Sequence, residues 1–143
     1  MKVEIFSLCD FASSDASGRL NIIGVFDSIY AREVPATHGL CALAIRVRFD
    51  KIEEGLKKFR ISFVDSDGNP VMPAMEMQIQ VRVPPIFQQA NVQVVFLIPQ
   101  VKFPNFGEYS IDLAIDGRQE AATPLNVRQL PIIPPQPQLP PQP

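Results

Sequence analysis

The chain has no tryptophan, only two cysteines and a single histidine in 143 residues. Cys9 and Cys41 are too few and too widely spaced for a disulfide framework, and one histidine does not complete the paired spacing of a zinc site. Charge of one sign is lacking too. Thirteen basic side chains against fifteen acidic ones leave a net charge of −2, so no global field favours nucleic acid or an anionic membrane. Unbroken apolar runs stop far short of the about 20 residues that cross a bilayer. The opening MKVEIFSLCDFASS sets Glu4 and Asp10 inside what would be the apolar segment of a secretory leader, so none is expected. There is no glycine-rich phosphate loop. These absences point to a cytoplasmic protein with reduced, buried thiols and no metal or cofactor.

Helical periodicity is missing as well, and period two takes its place. In AMEMQIQVRV (74–83), Met75, Met77, Ile79, Val81 and Val83 alternate with Glu76, Gln78, Gln80 and Arg82. That is the pattern of a strand with one wet face. Cys41, Leu43, Ile45, Val47 and Phe49 form a similar face opposite Arg46 and Arg48. Phe59, Ile61 and Phe63 repeat it, as do Tyr109, Ile111, Leu113 and Ile115. Turn signals separate these runs: SSDASG at 13–18, DSDGNP at 65–70, PP at 84–85, PNFG at 104–107 and DG at 116–117.

The spacing predicts about eight strands, near 2–11, 19–30, 40–49, 57–65, 72–83, 91–98, 108–116 and 118–128. Gly55 limits DKIEEGLKK (50–58) to one helical turn at most. Many short strands joined by polar turns predict an all-β antiparallel sandwich, Greek-key and immunoglobulin-like, over residues 1–128; a closed barrel is the alternative. Beyond Arg128 charge disappears, and seven prolines fall in residues 131–143. Proline lacks the N–H that a sheet ladder needs, so residues 129–143 are expected as an extended or disordered tail.

NFGEYSIDLAIDGR (105–118) gathers carboxylates and a tyrosine, yet each has a structural use. Gly107-x-Tyr109 matches a tyrosine corner, whose phenol bonds back to nearby backbone. Asp116-Gly117 suits a two-residue hairpin turn with φ > 0 at both positions. DSDGNP places Asp65, Asp67 and Asn69 at the first, third and fifth positions of a calcium loop, with Glu76 at the twelfth. Pro70 then occupies the position where such a loop needs glycine, so a strand-connecting turn is expected instead. His38 reads as a loop residue, and Cys41 opens an apolar strand face, which argues for an inert thiol.

Two features suit a protein partner. If the strands at 40–49, 57–65 and 72–83 are sheet neighbours, Arg46, Arg48, Lys58, Arg60 and Arg82 share one wet surface able to meet an acidic partner or a phosphate-bearing ligand. No aromatics interleave with these cations, so single-stranded nucleic acid is not expected. Arg128, Pro131 and Pro134 fit the R-x-x-P-x-x-P spacing that aromatic-groove domains read.

MKVEIFSLCDFA at the start, FDSIYA at 26–31 and FGEYSIDLAIDGRQEA at 106–121 together resemble a family of small uncharacterised bacterial proteins, a domain of unknown function. The resemblance spans roughly 1–128 and leaves out the proline-rich end. It implies a bacterial or phage-associated source and a cytoplasmic setting, and brings no activity. The expected function is a non-enzymatic binding or scaffolding module. The alternatives are a structural subunit of a homo-oligomeric assembly, and a hydrolase or small-ligand-binding protein with a site near Asp27 and His38.

Overall fold

A computed structural model describes residues 1–131 together with Pro137, Pro140 and Pro141. The chain is all-β. Its strands are β1 (Lys2–Ser14), β2 (Leu20–Val25), β3 (Ser28–Ala31), β4 (Ala36–His38), β5 (Cys41–Asp50), β6 (Gly55–Asp65), β7 (Met75–Val81), β8 (Gln89–Ile98), β9 (Val101–Phe103), β10 (Gly107–Ile115) and β11 (Arg118–Gln129). One sheet runs β2-β1-β5-β8, a second runs β3-β11-β10-β6-β7, and β4 with β9 forms a two-stranded ribbon. The segment at 50–58 holds a single 3-10 turn, Lys51–Glu53, which ends before Gly55 at φ 133°.

Alternation builds the core. Leu43, Ile45, Val47 and Phe49 of β5 join Phe59, Ile61 and Phe63 of β6 and Ile111, Leu113 and Ile115 of β10 in one buried cluster. Residues on opposite parities of a strand face opposite ways, so each of these strands delivers every second side chain to that cluster. Removing one such side chain from water stabilises by roughly 1.5–3 kcal/mol. Phe49 meets Phe59 edge-on at a 6.5 Å centroid distance, which joins the first sheet to the second.

Short polar turns close the hairpins. The Asp15 carboxylate accepts from the backbone N–H groups of Ser17 (2.9 Å) and Arg19 (3.0 Å). The Asp65 carboxylate does the same for Asp67 (3.0 Å) and Asn69 (2.8 Å), so DSDGNP is a strand-connecting turn held by its own first residue. Asp116 (φ 51°) and Gly117 (φ 80°) both take positive φ between β10 and β11. The Tyr109 hydroxyl donates to Asn105 O at 2.7 Å and accepts from Asn105 N at 3.2 Å, which fixes the chain's entry into β10.

The sheets differ from the expected pattern in three ways. Among the described residues eleven strands replace about eight, because the 19–30 run divides into β2 and β3 and the ribbon β4–β9 is too short to show a period. The pairing is not antiparallel throughout, since β3 runs parallel to β11. The chain leaves the first sheet at Phe26, whose N–H bonds to Leu8 O. It joins the second at Asp27, whose carbonyl accepts from Asn126 N. The final ladder also outlasts residue 128: β11 reaches Gln129, and Leu130 N donates to Ala31 O at 2.9 Å.

Candidate functional site

The five cations expected on one surface stand on two sheets. β5 lies in the first sheet and β6 and β7 in the second, so the neighbour relation on which a shared face depended does not hold. Hydrophobic alternation fixes which way a strand faces but not which sheet it enters. On the first sheet, the β1–β5 register shifts between Val3 and Ile5, and Glu4 sits in that irregularity. Its carboxylate takes Arg46 Nε at 3.2 Å and an Arg48 guanidinium nitrogen at 3.1 Å. The Asn91 amide, with its oxygen toward Arg46 (2.7 Å) and its nitrogen toward Glu4 (3.1 Å), completes the cluster. Hydrogen bonding from Arg48, with that from Arg46, outweighs partial burial and holds Glu4 below the usual carboxylate value.

On the second sheet, Glu76 of β7 accepts from Lys58 and Arg60 of β6, each at 3.2 Å. Glu76 is thereby held in a cross-strand cluster far down the chain from the Asp65 turn. Arg82 follows β7 and lines an open cleft with Glu54, Val83, Pro84 and Pro85. Arg128 is exposed on β11 opposite Tyr30, and Pro131 is exposed just beyond it. Pro134 lies outside the described residues, as does most of the tail. The candidate residues thus form two separate cation clusters, one cleft residue and one strand end.

The thiols and the histidine stand apart from the cation clusters. Cys9 and Cys41 are buried and free. Burial pushes the Cys41 thiol up to about 11, with Cys9 and Asp10 adding to the effect. Burial also raises Cys9, whose Sγ donates to Ala42 O at 3.4 Å. Both stay protonated near neutrality and are poor nucleophiles. His38 ends β4 and packs on Phe26 at 5.3 Å between ring centroids. Among the described residues, the clefts near Arg82, Met72, Pro124 and Lys57 are lined by other residues. Asp27 accepts from the Ser28 hydroxyl at 3.1 Å, a bond within its own turn.

Two surface features were not anticipated. The first is the β1–β2 hairpin. Ala12, Leu20 and Ile22 on one of its faces pack in a small apolar cluster with Cys9, Ala42 and Ala44. The opposite face carries Phe11 and Ile23, which are cross-strand partners; Val25 lies beyond Gly24 (φ 71°) and pairs with the buried Cys9. These three side chains are 53, 62 and 64% exposed. In LNIIGVF both parities are apolar, so alternation gives no reason to choose the wet face.

The second is β8, which reads QANVQVVFLI and has no charge and no proline. It ends its sheet. The sequence did carry a signal here, since no charged residue occurs between Arg82 and Lys102.

Among the described residues no group of three or more His, Cys, Asp or Glu side chains is placed to hold a metal, and no helix is long and apolar enough to cross a membrane. A family model described as "Family of unknown function (DUF6941)" matches residues 4–128. No curated protein matches the chain.

Proposed function

We propose, for a chain that belongs to this family of unknown function, that it is a non-enzymatic protein-binding module of a bacterial or phage-associated, cytoplasmic system. The observation that carries this reading is the exposed stripe made by the cross-strand partners Phe11 and Ile23 on the β1–β2 hairpin, with exposed Val25 beyond Gly24. Single exposed apolar residues are ordinary, but a directly paired Phe and Ile on a hydrogen-bonded hairpin form a ready contact surface. Cross-strand pairing fixes their spacing in advance, so little ordering remains to be done on binding. The partner this surface suits is a protein segment with an apolar face. The cation clusters at Glu4 and Glu76 are engaged within their own sheets and serve at most as a rim.

The fold that goes with this reading is a Greek-key, immunoglobulin-like sandwich over residues 1–128. The order β3-β11-β10-β6-β7, a tyrosine corner at Tyr109 and a first sheet built on β1, β5 and β8 all favour it. Such sandwiches host many functions, so the fold alone carries no activity.

The test uses a partner isolated with the full chain, then purified and titrated. Phe11→Ser and Ile23→Thr should each weaken its affinity about tenfold or more while the melting temperature stays within a few degrees. An affinity unchanged by both substitutions would remove the stripe from the function. A turnover assay on the same partner that showed its chemical conversion, lost on His38→Ala, would replace the module with an enzyme.

A further inference from the structure

We infer that β8 is a pairing edge for a second copy of this chain, joined antiparallel across a two-fold axis at Gln93. This rests on the edge itself and is independent of what the hairpin stripe binds.

An open sheet edge presents unpaired N–H and C=O groups, and proteins usually blunt it with charge, proline, bulges or brevity. Three of the four edges of the two large sheets are blunted. β2 is six residues long and carries Gly24 at φ 71°. β3 has four residues. β7 carries Glu76, with Pro73 just before it and Pro84 soon after. β8 has no charge, no bulge and no proline within the strand, although Pro99 follows it directly. It runs for ten residues, and its ladder to β5 is continuous from Asp50↔Gln89 to Cys41↔Ile98 without a bulge.

The phase of that ladder shows which groups face outward. Lys51 N donates to Gln88 O at 2.9 Å, so the even-numbered residues of β8 bond toward β5. Gln89, Asn91, Gln93, Val95 and Leu97 therefore turn their backbone N–H and C=O to the open side. Among the described residues none of these groups has a hydrogen-bond partner. Antiparallel strands keep their faces aligned when odd residues meet odd residues. Centred on Gln93, the pairing sets Gln93 against Gln93 of the second copy, Asn91 against its Val95, and Gln89 against its Leu97. All five outward-facing residues of each copy are then satisfied. No charge on β8 opposes a like charge across the axis.

A second observation falls at the same residue. Gln93 Oε1 is buried and has no hydrogen-bond partner among the described residues. An orphaned buried acceptor is costly, and native structures rarely tolerate one. On the two-fold axis, the side-chain amide of Gln93 from the second copy stands on the same face of the joined sheet, directly opposite, and can donate to it once the Gln93 side chain turns toward the axis. The interface is isologous and closes as a dimer instead of growing into a fibre. Its sheet would then continue through both copies.

Sedimentation equilibrium of the full chain, with site-specific cross-linking, tests the pairing. A dimer is expected, and Gln93→Lys should weaken it about tenfold or more by setting like charges about 5.5 Å apart on the axis. Gln93→Cys should give an intermolecular disulfide under mild oxidation, because that separation suits a disulfide. Asn91→Cys should not, since the two copies of position 91 lie about 13 Å apart along the strands. Cys9 and Cys41 are buried and serve as the background in both variants. A chain that stays monomeric, or a dimer that cross-links equally at both positions, overturns the pairing. So does a monomer whose β8 amides resist hydrogen exchange in the full chain but not in one ending at Pro131, which would assign the edge to residues 132–143.

Discussion

β5 and β6 face each other across the same core and are built on the same alternation, yet they live in different surroundings. β6 is buried on one side only, with Phe59, Ile61 and Phe63 inward and Lys58, Arg60 and Ser62 turned outward. β5 is buried on both sides over its first half. Leu43 and Ile45 enter the main core, while Ala42 and Ala44 on the reverse face are covered by the second cluster with Cys9 and Val95. Further along, β5 regains a wet face, and there the two strands converge again. Arg46 and Arg48 hold Glu4 as Lys58 and Arg60 hold Glu76. Small residues on β5 therefore mark a covered face, and the charged pair marks where the cover ends.

The largest expected contrast is at high pH. Native Cys41 keeps its proton up to about 11, whereas the unfolded chain releases it near the ordinary thiol value. The native state then holds the extra proton, so stability is intact below that ordinary value and falls as pH rises toward 11. The loss should reach about 2–3 kcal/mol in urea unfolding. Cys41→Ala should flatten this limb. β6 carries no thiol, and Phe59→Leu should leave the limb in place even as overall stability drops.

Next comes the covered face itself. Ala44→Leu adds volume where none is free and should cost about 2 kcal/mol. Ser62→Leu at an outward position of β6 should change stability by about 0.5 kcal/mol or less. Equal costs at the two sites would mean that the reverse face of β5 is open and that the comparison fails.

The smallest contrast separates the two cation pairs from their carboxylates. Glu4 lies below its ordinary value through the Arg48 and Arg46 bonds, so its contribution is present above that ordinary value and is lost as pH falls through the native one. Glu4→Gln should flatten this acid limb below the ordinary carboxylate value. A limb that stays as steep would assign it to other carboxylates. Partial exposure and salt screening keep the effect modest.

How much of this was legible without coordinates follows from the same two strands. The alternation in ISF and the cations around it told the whole story of β6. CALAI in β5 shows an unbroken apolar run, which is compatible with burial on both faces but does not say what covers the second one. The hairpin that supplies the cover comes from residues 10–25, and its own two faces are apolar alike. The turns were legible because their chemistry is local: the Asp65 carboxylate bonds to Asp67 and Asn69, and Asp116 and Gly117 themselves take the positive φ that their turn needs. The shared cation surface failed because it needed β5 and β6 in one sheet, a relation set between distant segments.

The sequence by itself determined the period, the turns and the bond of Tyr109 back to nearby backbone. Each depends on side-chain type, or on neighbours within about four residues, and such interactions survive whatever the rest of the chain does. Tertiary structure alone decided which sheet each strand entered and that β3 would run parallel to β11. It also decided that β8 would be left at an edge. Those outcomes depend on contacts between segments tens of residues apart. Many arrangements satisfy the same alternation there, and only the packing of the assembled core selects one.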